Sequence, residues 1–122
     1  MESFNLPKST EEEKTARTEA IQIATKYAIE VPFAVMKAAY QSMEVIKAMA
    51  EIGNPNSVTD AGVAALCART AVLGAFMNVR INAAGYKDKT YVDEILKEGN
   101  ALQQMAIDRE AEIIEIVNGK IG

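Results

Sequence analysis

The 122-residue sequence has no histidine, no tryptophan and one cysteine, Cys67. Histidine is the commonest general base and metal ligand, so its absence argues against histidine-activated nucleophiles and zinc sites and leaves acid–base chemistry to Asp, Glu, Lys or Tyr. A lone cysteine cannot form a disulfide within the chain. Because the sequence has no histidine and a single cysteine, we expect no metal ion. Cytoplasmic residence is the default prediction, because residues 1–7 lack a basic segment followed by an apolar run.

The sequence is also poor in positive charge and in aromatic side chains. Its formal net charge is −4, and 6% of its residues are aromatic. Because nucleic-acid binders need a clustered basic face or stacking platforms, we expect no nucleic-acid partner. Asp60, Arg69 and Arg80 interrupt the most apolar stretch, about 58–84, before it reaches the roughly 18 uncharged residues that are typical of a membrane span. We therefore predict no membrane insertion.

The composition is otherwise that of a folded domain. Hydrophobic residues make up 49% of the sequence and charged residues 25%. A chain of this length can bury one core. We therefore predict a single domain over residues 1–122.

Helical signals extend over nearly the whole chain. Thr10, followed three residues later by Glu13, is typical of a capping box and begins a helix. Pro32 is tolerated in the first turn of a helix, so the segment Glu30–Pro32 is interpreted as a joint between two helices. Glycine, asparagine and proline at 53–57, and glycine at 85, indicate two further turns. The predicted helices span about 10–29, 32–52, 58–84 and, after a polar link at 87–89, about 90–118.

The predicted fold class is therefore all-α, with four main helices in an antiparallel bundle-like arrangement. Apolar positions between Ala16 and Ala28, spaced three or four apart, predict that one face of the first helix lies on the core. The third helix, about 58–84, is apolar nearly all round and is predicted to be the buried central helix.

A stripe of mostly small residues follows one face of this third helix. It favours either close packing with another helix or subunit, or space for a flat ligand between helices. Of these two interpretations, packing is the preferred one. The stripe consists of Asp60, Ala64, Cys67, Ala71, Gly74, Asn78 and Asn82.

The start of the third helix is the first candidate site. Asn54, Asn56, Ser57 and Asp60 bring amides, a hydroxyl and a carboxylate to a helix terminus whose free N–H groups attract anions. The same pattern is also typical of simple helix capping, with Asp60 complementing the helix dipole. Spacing alone leaves both interpretations open.

Five segments, taken in order, resemble one known family. The sequence is similar to the cyclodeaminase family, which includes the cyclodeaminase part of formimidoyltransferase-cyclodeaminase and the free-standing methenyltetrahydrofolate cyclohydrolases. The resemblance extends from about residue 4 to about residue 118, and the block at 53–66 is its most specific part. The segments are Phe4–Lys8, Glu12–Lys14, Glu30–Pro32, Gly53–Leu66 and Asn78–Asn82.

The resemblance implies an all-helical, dimeric enzyme of folate one-carbon metabolism, with a tetrahydrofolate derivative as substrate and no metal. The reaction would be that of a lyase, closing 5-formimino-tetrahydrofolate to 5,10-methenyl-tetrahydrofolate with loss of ammonia, or that of a hydrolase acting on the methenyl compound. A formimidoyltransferase is a possible partner of the first activity. The family's glycine-rich, serine-containing N-terminal segment has no counterpart here, so the chain is expected to correspond to the C-terminal part of the domain. The alternative is a non-catalytic helical fragment that folds and dimerises without turnover.

Under this resemblance Asp60 is the candidate catalytic carboxylate, since it could accept a proton or stabilise a cationic centre. Asn54, Asn56 and Ser57 are candidate substrate ligands, and Glu30 is a second carboxylate beside the expected joint. For Asn78 and Asn82 two roles are open. They would bind the glutamate tail of a folate held across a dimer interface, or they would make polar contacts between packed helices. Asp60 and Asn78 are 18 residues apart, roughly 27 Å along a helix, so they cannot reach one atom from the same subunit.

Overall fold

The capping box at Thr10 begins the first long helix. The computed structural model describes residues 2–122, and in it the Glu13 N–H donates to Thr10 Oγ1 at 3.0 Å while the Glu13 carboxylate accepts from Ser9. Helix α1 then runs over Glu11–Ile52. Three consecutive glutamates in its first turn complement the positive end of the helix dipole.

The predicted joint at Glu30–Pro32 does not exist, because α1 continues through Pro32 without a break. The prediction of four main helices is therefore wrong, and the described residues form three. A proline inside a helix removes one backbone hydrogen bond, and its ring crowds the carbonyl four residues before it. Ile29, Phe33 and Met36 are buried on both sides of Pro32, so packing holds the helix in line across the defect.

The second and third long helices begin close to their predicted positions. The turn at residues 53–57 is confirmed, and it contains a short 3₁₀ helix at Pro55–Ser57. Helix α2 spans Val58–Ala83 and helix α3 spans Lys89–Ile121. The Asp88 carboxylate begins α3 by accepting from the Tyr91 N–H at 3.1 Å. A second 3₁₀ helix covers Glu2–Asn5, and residues 2–122 contain no strand.

Contacts between helix ends define the topology. Gln22, near the start of α1, bonds to the backbone of Gly85 and Lys87 after the end of α2, so α1 and α2 are antiparallel. At the far end, Lys120 of α3 donates to the carbonyls of Ala50 and Glu51, the last turn of α1. The antiparallel, bundle-like arrangement is thus confirmed for three helices.

Helix α2 is central in the bundle but is buried on one face. It contacts both α1 and α3. The face of α2 that these contacts leave uncovered carries the exposed residues Val63, Leu66, Met77 and Ile81. The prediction of a buried central helix was wrong for this face. The segment Pro55–Ala83 is long and apolar enough to cross a membrane by length and composition, a test that the core helix of a helical bundle also passes. The buried residues of α2 are Val58, Ala61, Gly62, Ala65, Ala68, Val72, Ala75, Phe76, Val79 and Ala83.

Gly99 of α3 lies against the Phe76 ring of α2. A Cβ atom added to Gly99 would overlap the Phe76 ring, whose Cδ1 and Cζ atoms would lie 2.8 and 2.9 Å away. Phe76 is fully buried, so its ring has no solvent-exposed position to move into. Gly99 therefore allows the two helices to enclose the largest of the fully buried side chains.

Ion pairs join α3 to the other helices on the outside of the core. Arg109 lies 2.6 Å from Glu44 of α1 and 3.3 Å from Glu112, which also pairs with Lys47. The hydrogen bond from Lys47 lowers the pKa of Glu112 below its usual value. These pairs are partly exposed to solvent, so each contributes modestly to stability, and together they favour one register of α3 against α1.

We expect Gly99→Ala to destabilise the bundle by about 1–3 kcal/mol, because the new methyl group overpacks the Phe76 ring. Urea unfolding followed by circular dichroism measures this free energy. Gly119→Ala, on the same helix, is the matched control: a Cβ there meets nothing within 4 Å, and alanine should raise stability by up to about 1 kcal/mol. Equal effects of the two substitutions would contradict this account of the α2–α3 contact.

Candidate functional site

A cavity of about 650 Å³ lies between α1 and α2, within the range of roughly 300–1,000 Å³ that is typical of small-molecule sites. Five residues of α1 form one wall and six residues of α2 form the other. Both walls are largely apolar. The lining residues are Tyr27, Ala28, Val31, Pro32, Val35, Thr70, Ala71, Gly74, Ala75, Asn78 and Asn82.

The small-residue stripe provides much of the α2 wall. Ala71 and Gly74 of the stripe line the cavity, and a Cβ added to Gly74 would meet nothing within 4 Å. These positions therefore border open space in the described chain. Space for a ligand, the less favoured interpretation of the stripe, matches this geometry.

Three polar side chains face the cavity from α2. The Asn82 amide donates to the Asn78 carbonyl at 2.8 Å, which leaves the Asn82 side-chain oxygen as an acceptor. The Thr70 hydroxyl donates to the Leu66 carbonyl at 3.0 Å and retains its acceptor lone pairs. Within residues 2–122 the Asn78 side chain has no hydrogen bond, so it offers both a donor and an acceptor. An apolar cavity with a few such groups suits a flat, polar-edged ligand.

The cavity opens onto an exposed apolar face, which we define by the α1 residues Ile23, Tyr27, Val31 and Val35 and the α2 residues Val63, Leu66, Met77 and Ile81. Residues of α1 in this set recur every four positions, so they form one stripe along the helix. Tyr27 is 68% exposed and Ile81 is 74% exposed. The prediction that Ala16–Ala28 faces the core was wrong at Ile23 and Tyr27, because the core instead uses Ile29, Phe33 and Met36.

A second, polar depression of about 440 Å³ adjoins the cavity at Tyr27, which lines both. Glu30 lies in this depression together with Gln22, Ile23, Lys26 and Tyr86. The Lys26 ammonium lies 5.1 Å from the centre of the Tyr91 ring. Burial raises the pKa of the Tyr91 hydroxyl, and the negative charge of Glu30 raises it further. The polar depression thus places the Glu30 carboxylate and the Lys26 ammonium beside the cavity.

The other predicted site residues lie at the opposite end of α2. Asn54 accepts from the Asn56 N–H at 2.9 Å within the turn, and Ser57 precedes α2 without a side-chain capping bond. Asp60 is exposed in the first turn, and no hydrogen bond to its carboxylate occurs among the described residues. The fold therefore brings Glu30, Asn78 and Asn82 to one end of the molecule and leaves the Asn54–Asp60 group at the other.

The α1 wall of the cavity was not predicted as part of a site. Val31 was interpreted as part of a joint and Tyr27 as a core residue, because Pro32 suggested a break between two helices. Apolar residues recur every four positions from Ile23 to Val35, and this spacing would have revealed the stripe if α1 had been treated as one helix.

The fold and cavity define an all-helical protein with a ligand-sized site between two antiparallel helices. A sequence model described as formiminotransferase-cyclodeaminase matches residues 1–101. The chain therefore belongs to the formiminotransferase-cyclodeaminase family, and the resemblance predicted from the sequence is confirmed.

Individual relatives carry two different names. The methenyltetrahydrofolate cyclohydrolase of Methylorubrum extorquens is 39% identical over 121 residues, which cover 99% of this chain and 58% of that protein. The formimidoyltransferase-cyclodeaminase of Rattus norvegicus is 36% identical over 96 residues, 79% of this chain and 17% of that protein. The protein of the same name from Dictyostelium discoideum is 32% identical over 101 residues, 83% of this chain and 19% of its own length. The chain thus spans less than two thirds of the relatives it matches.

Proposed function

We propose that the α1–α2 cavity binds a tetrahydrofolate one-carbon derivative and that the chain contributes this binding wall to a cyclodeaminase or cyclohydrolase site. The observation that carries the proposal is an apolar cavity of about 650 Å³ with Asn78, Asn82 and Thr70 in one wall. Such walls bury a flat ring while side-chain amides bind its polar edge. Family membership supports folate as the ligand class.

Both candidate reactions use the same electrophilic carbon. In deamination, N10 of 5-formimino-tetrahydrofolate attacks the formimino carbon, a base takes the N10 proton and an acid protonates the departing ammonia. In hydrolysis, water attacks the corresponding carbon of the 5,10-methenyl compound and a base takes the proton of that water. Either reaction needs a proton acceptor near the bridging carbon.

The cavity lining contains a single titratable side chain, Tyr27. The proton acceptor must therefore come from outside the lining. Glu30, in the polar depression beyond Tyr27, is one candidate. Asp60 is the other, and it can reach the Asn82 end of the cavity only from a second copy, since 18 residues separate it from Asn78 in its own helix.

A symmetric dimer would bring these groups together. If two copies pair α2 antiparallel with their midpoint at Ala71, Asp60 of one copy lies opposite Asn82 of the other, because Ala71 is midway between them. The exposed apolar residues suit the same pairing, since Val63 and Leu66 would lie within two positions of the points opposite Ile81 and Met77. An apolar face of this extent favours association.

The alternative function, a non-catalytic helical module that folds and dimerises, is favoured by one observation: the cavity holds binding groups but no carboxylate. A formimidoyltransferase partner is proposed only if the reaction is deamination. Turnover therefore distinguishes the two functions, whereas ligand binding does not.

We expect Gly74→Leu to weaken binding of 5-formyltetrahydrofolate by more than about tenfold, because losing well-packed ring contacts costs upwards of 1.4 kcal/mol. The leucine would fill open space in the cavity. Isothermal titration calorimetry measures the Kd. The melting temperature should stay the same or rise, since leucine is the better helix former. Gly119→Leu is the control outside the cavity. Unchanged affinity in Gly74→Leu would refute the location of the site.

We expect the chain to be a dimer at micromolar concentration and Leu66→Glu to convert it to a monomer, because the new charge would be desolvated in the proposed α2–α2 contact. Sedimentation velocity measures the mass. Met105→Glu places a charge on an exposed apolar residue of α3 and should leave the dimer intact. A monomeric wild-type chain would count against the pairing.

We expect Asp60→Asn to lower turnover of 5,10-methenyltetrahydrofolate by roughly a hundredfold, the usual contribution of a general base. Absorbance of the methenyl group follows the reaction. Stability should change little, because asparagine also supports a helix start. Asp93→Asn, an exposed acid on α3, is the control. Normal turnover in Asp60→Asn would assign the chemistry to other groups, and no turnover in the wild type would favour the non-catalytic alternative.

A further inference from the structure

Pro32 lies in the interior of α1, twenty-one residues after its first residue Glu11. In an α-helix each backbone N–H donates to the carbonyl four residues before it. Proline has no N–H, so the carbonyl of Ala28 has no helical donor. The next donor, the Phe33 N–H, has its own helical acceptor at Ile29. Helix α1 therefore carries one unpaired backbone acceptor in its interior.

The residue that carries this unpaired carbonyl, Ala28, forms part of the cavity wall. Ala28 and Pro32 both line the cavity, and both are half-buried. The neighbouring wall residues on α1, Val31 and Val35, carry no hydrogen-bonding side chain. The carbonyl is thus an acceptor in otherwise apolar surroundings, where a hydrogen bond meets little competition from other protein groups.

Asn78 and Asn82 lie in the α2 wall of the same cavity. A ligand held between the walls would therefore meet amide groups on one side and a bare acceptor on the other. That arrangement suits a flat heterocycle with N–H donors on one edge and acceptors on another. The pteridine ring of tetrahydrofolate has this pattern, because its amino-pyrimidinone carries N–H groups beside a carbonyl.

We propose that Pro32 leaves the Ala28 carbonyl free so that it accepts a hydrogen bond from a ring N–H of the bound tetrahydrofolate derivative. Ala28 then positions the ring through its backbone, and Pro32 is a positioning residue that acts through Ala28. The inference rests on the proposed function, since it concerns the same cavity. It adds the ring, rather than the glutamate tail, as the part of folate that contacts α1.

The carbonyl carbon of Ala28 reports this bond directly. In the 13.2 kDa chain labelled with ¹³C and ¹⁵N, its shift is observed through the amide of Ile29. We expect a tetrahydropterin, which carries the ring alone, to move this resonance downfield as the carbonyl gains a donor. The remaining part of folate, p-aminobenzoylglutamate, should leave it unchanged.

The substitution Pro32→Ala restores the missing N–H and pairs the Ala28 carbonyl within the helix. We expect the melting temperature to rise, because alanine is far better than proline in a helix interior. We expect the Kd for 5-formyltetrahydrofolate to rise about fivefold to tenfold, the worth of one hydrogen bond. Val35→Ala is the matched control, since it removes apolar volume from the same wall and leaves Pro32 in place.

The outcomes separate the inference from the proposed function. If the ring moves the Asn78 and Asn82 side-chain amides but not the Ala28 carbon, folate binds the cavity and the inference is overturned. If 5-formyltetrahydrofolate moves none of these resonances, the proposed function fails and the inference with it. Equal loss of affinity in Pro32→Ala and Val35→Ala, or a lower melting temperature for Pro32→Ala, would assign Pro32 a packing role and overturn the inference.

Discussion

The contact between Gly99 and the Phe76 ring sets the orientation of α2, and the site depends on that orientation. Phe76, Val72 and Val79 lie on one face of α2 and are fully buried. With this face directed at the core, residues on the other side of the helix point outward. Thr70, Gly74 and Asn78 therefore reach the cavity because Phe76 occupies the core. A helix so rich in small residues has few other features that would fix its rotation.

The polar groups suited to binding and the nearest carboxylate lie in different places around the cavity. Apolar walls and neutral polar groups surround the proposed ring site, while the nearby carboxylate of Glu30 lies in a separate, polar depression. Keeping charges out of an apolar wall avoids their desolvation. In the proposed reactions, proton transfer would then depend on groups brought to the cavity edge.

Local signals predicted most of the fold, and tertiary packing decided the rest. The capping box at Thr10, the turn at 53–57 and the limits of α2 follow from short-range chemistry and were predicted correctly. The break at Pro32 was wrong, because burial of Ile29, Phe33 and Met36 outweighs one lost hydrogen bond. Of the candidate site residues, Asn78, Asn82 and Glu30 lie at or beside the cavity, whereas Asp60 lies elsewhere. Sequence spacing places residues along a helix, but it cannot tell which face a neighbouring helix will cover.

The bond from Lys120 to the end of α1 has a consequence for the order in which the bundle is completed during synthesis. Lys120 lies 70 residues after Ala50, whose carbonyl it binds. While the ribosome is still making α3, the last turn of α1 has no such partner, and the nascent hairpin of α1 and α2 must hold together by its own contacts. That hairpin already contains both walls of the cavity. The Gly99–Phe76 contact that orients α2 also comes from α3, so these two walls reach their final arrangement only when α3 closes the bundle.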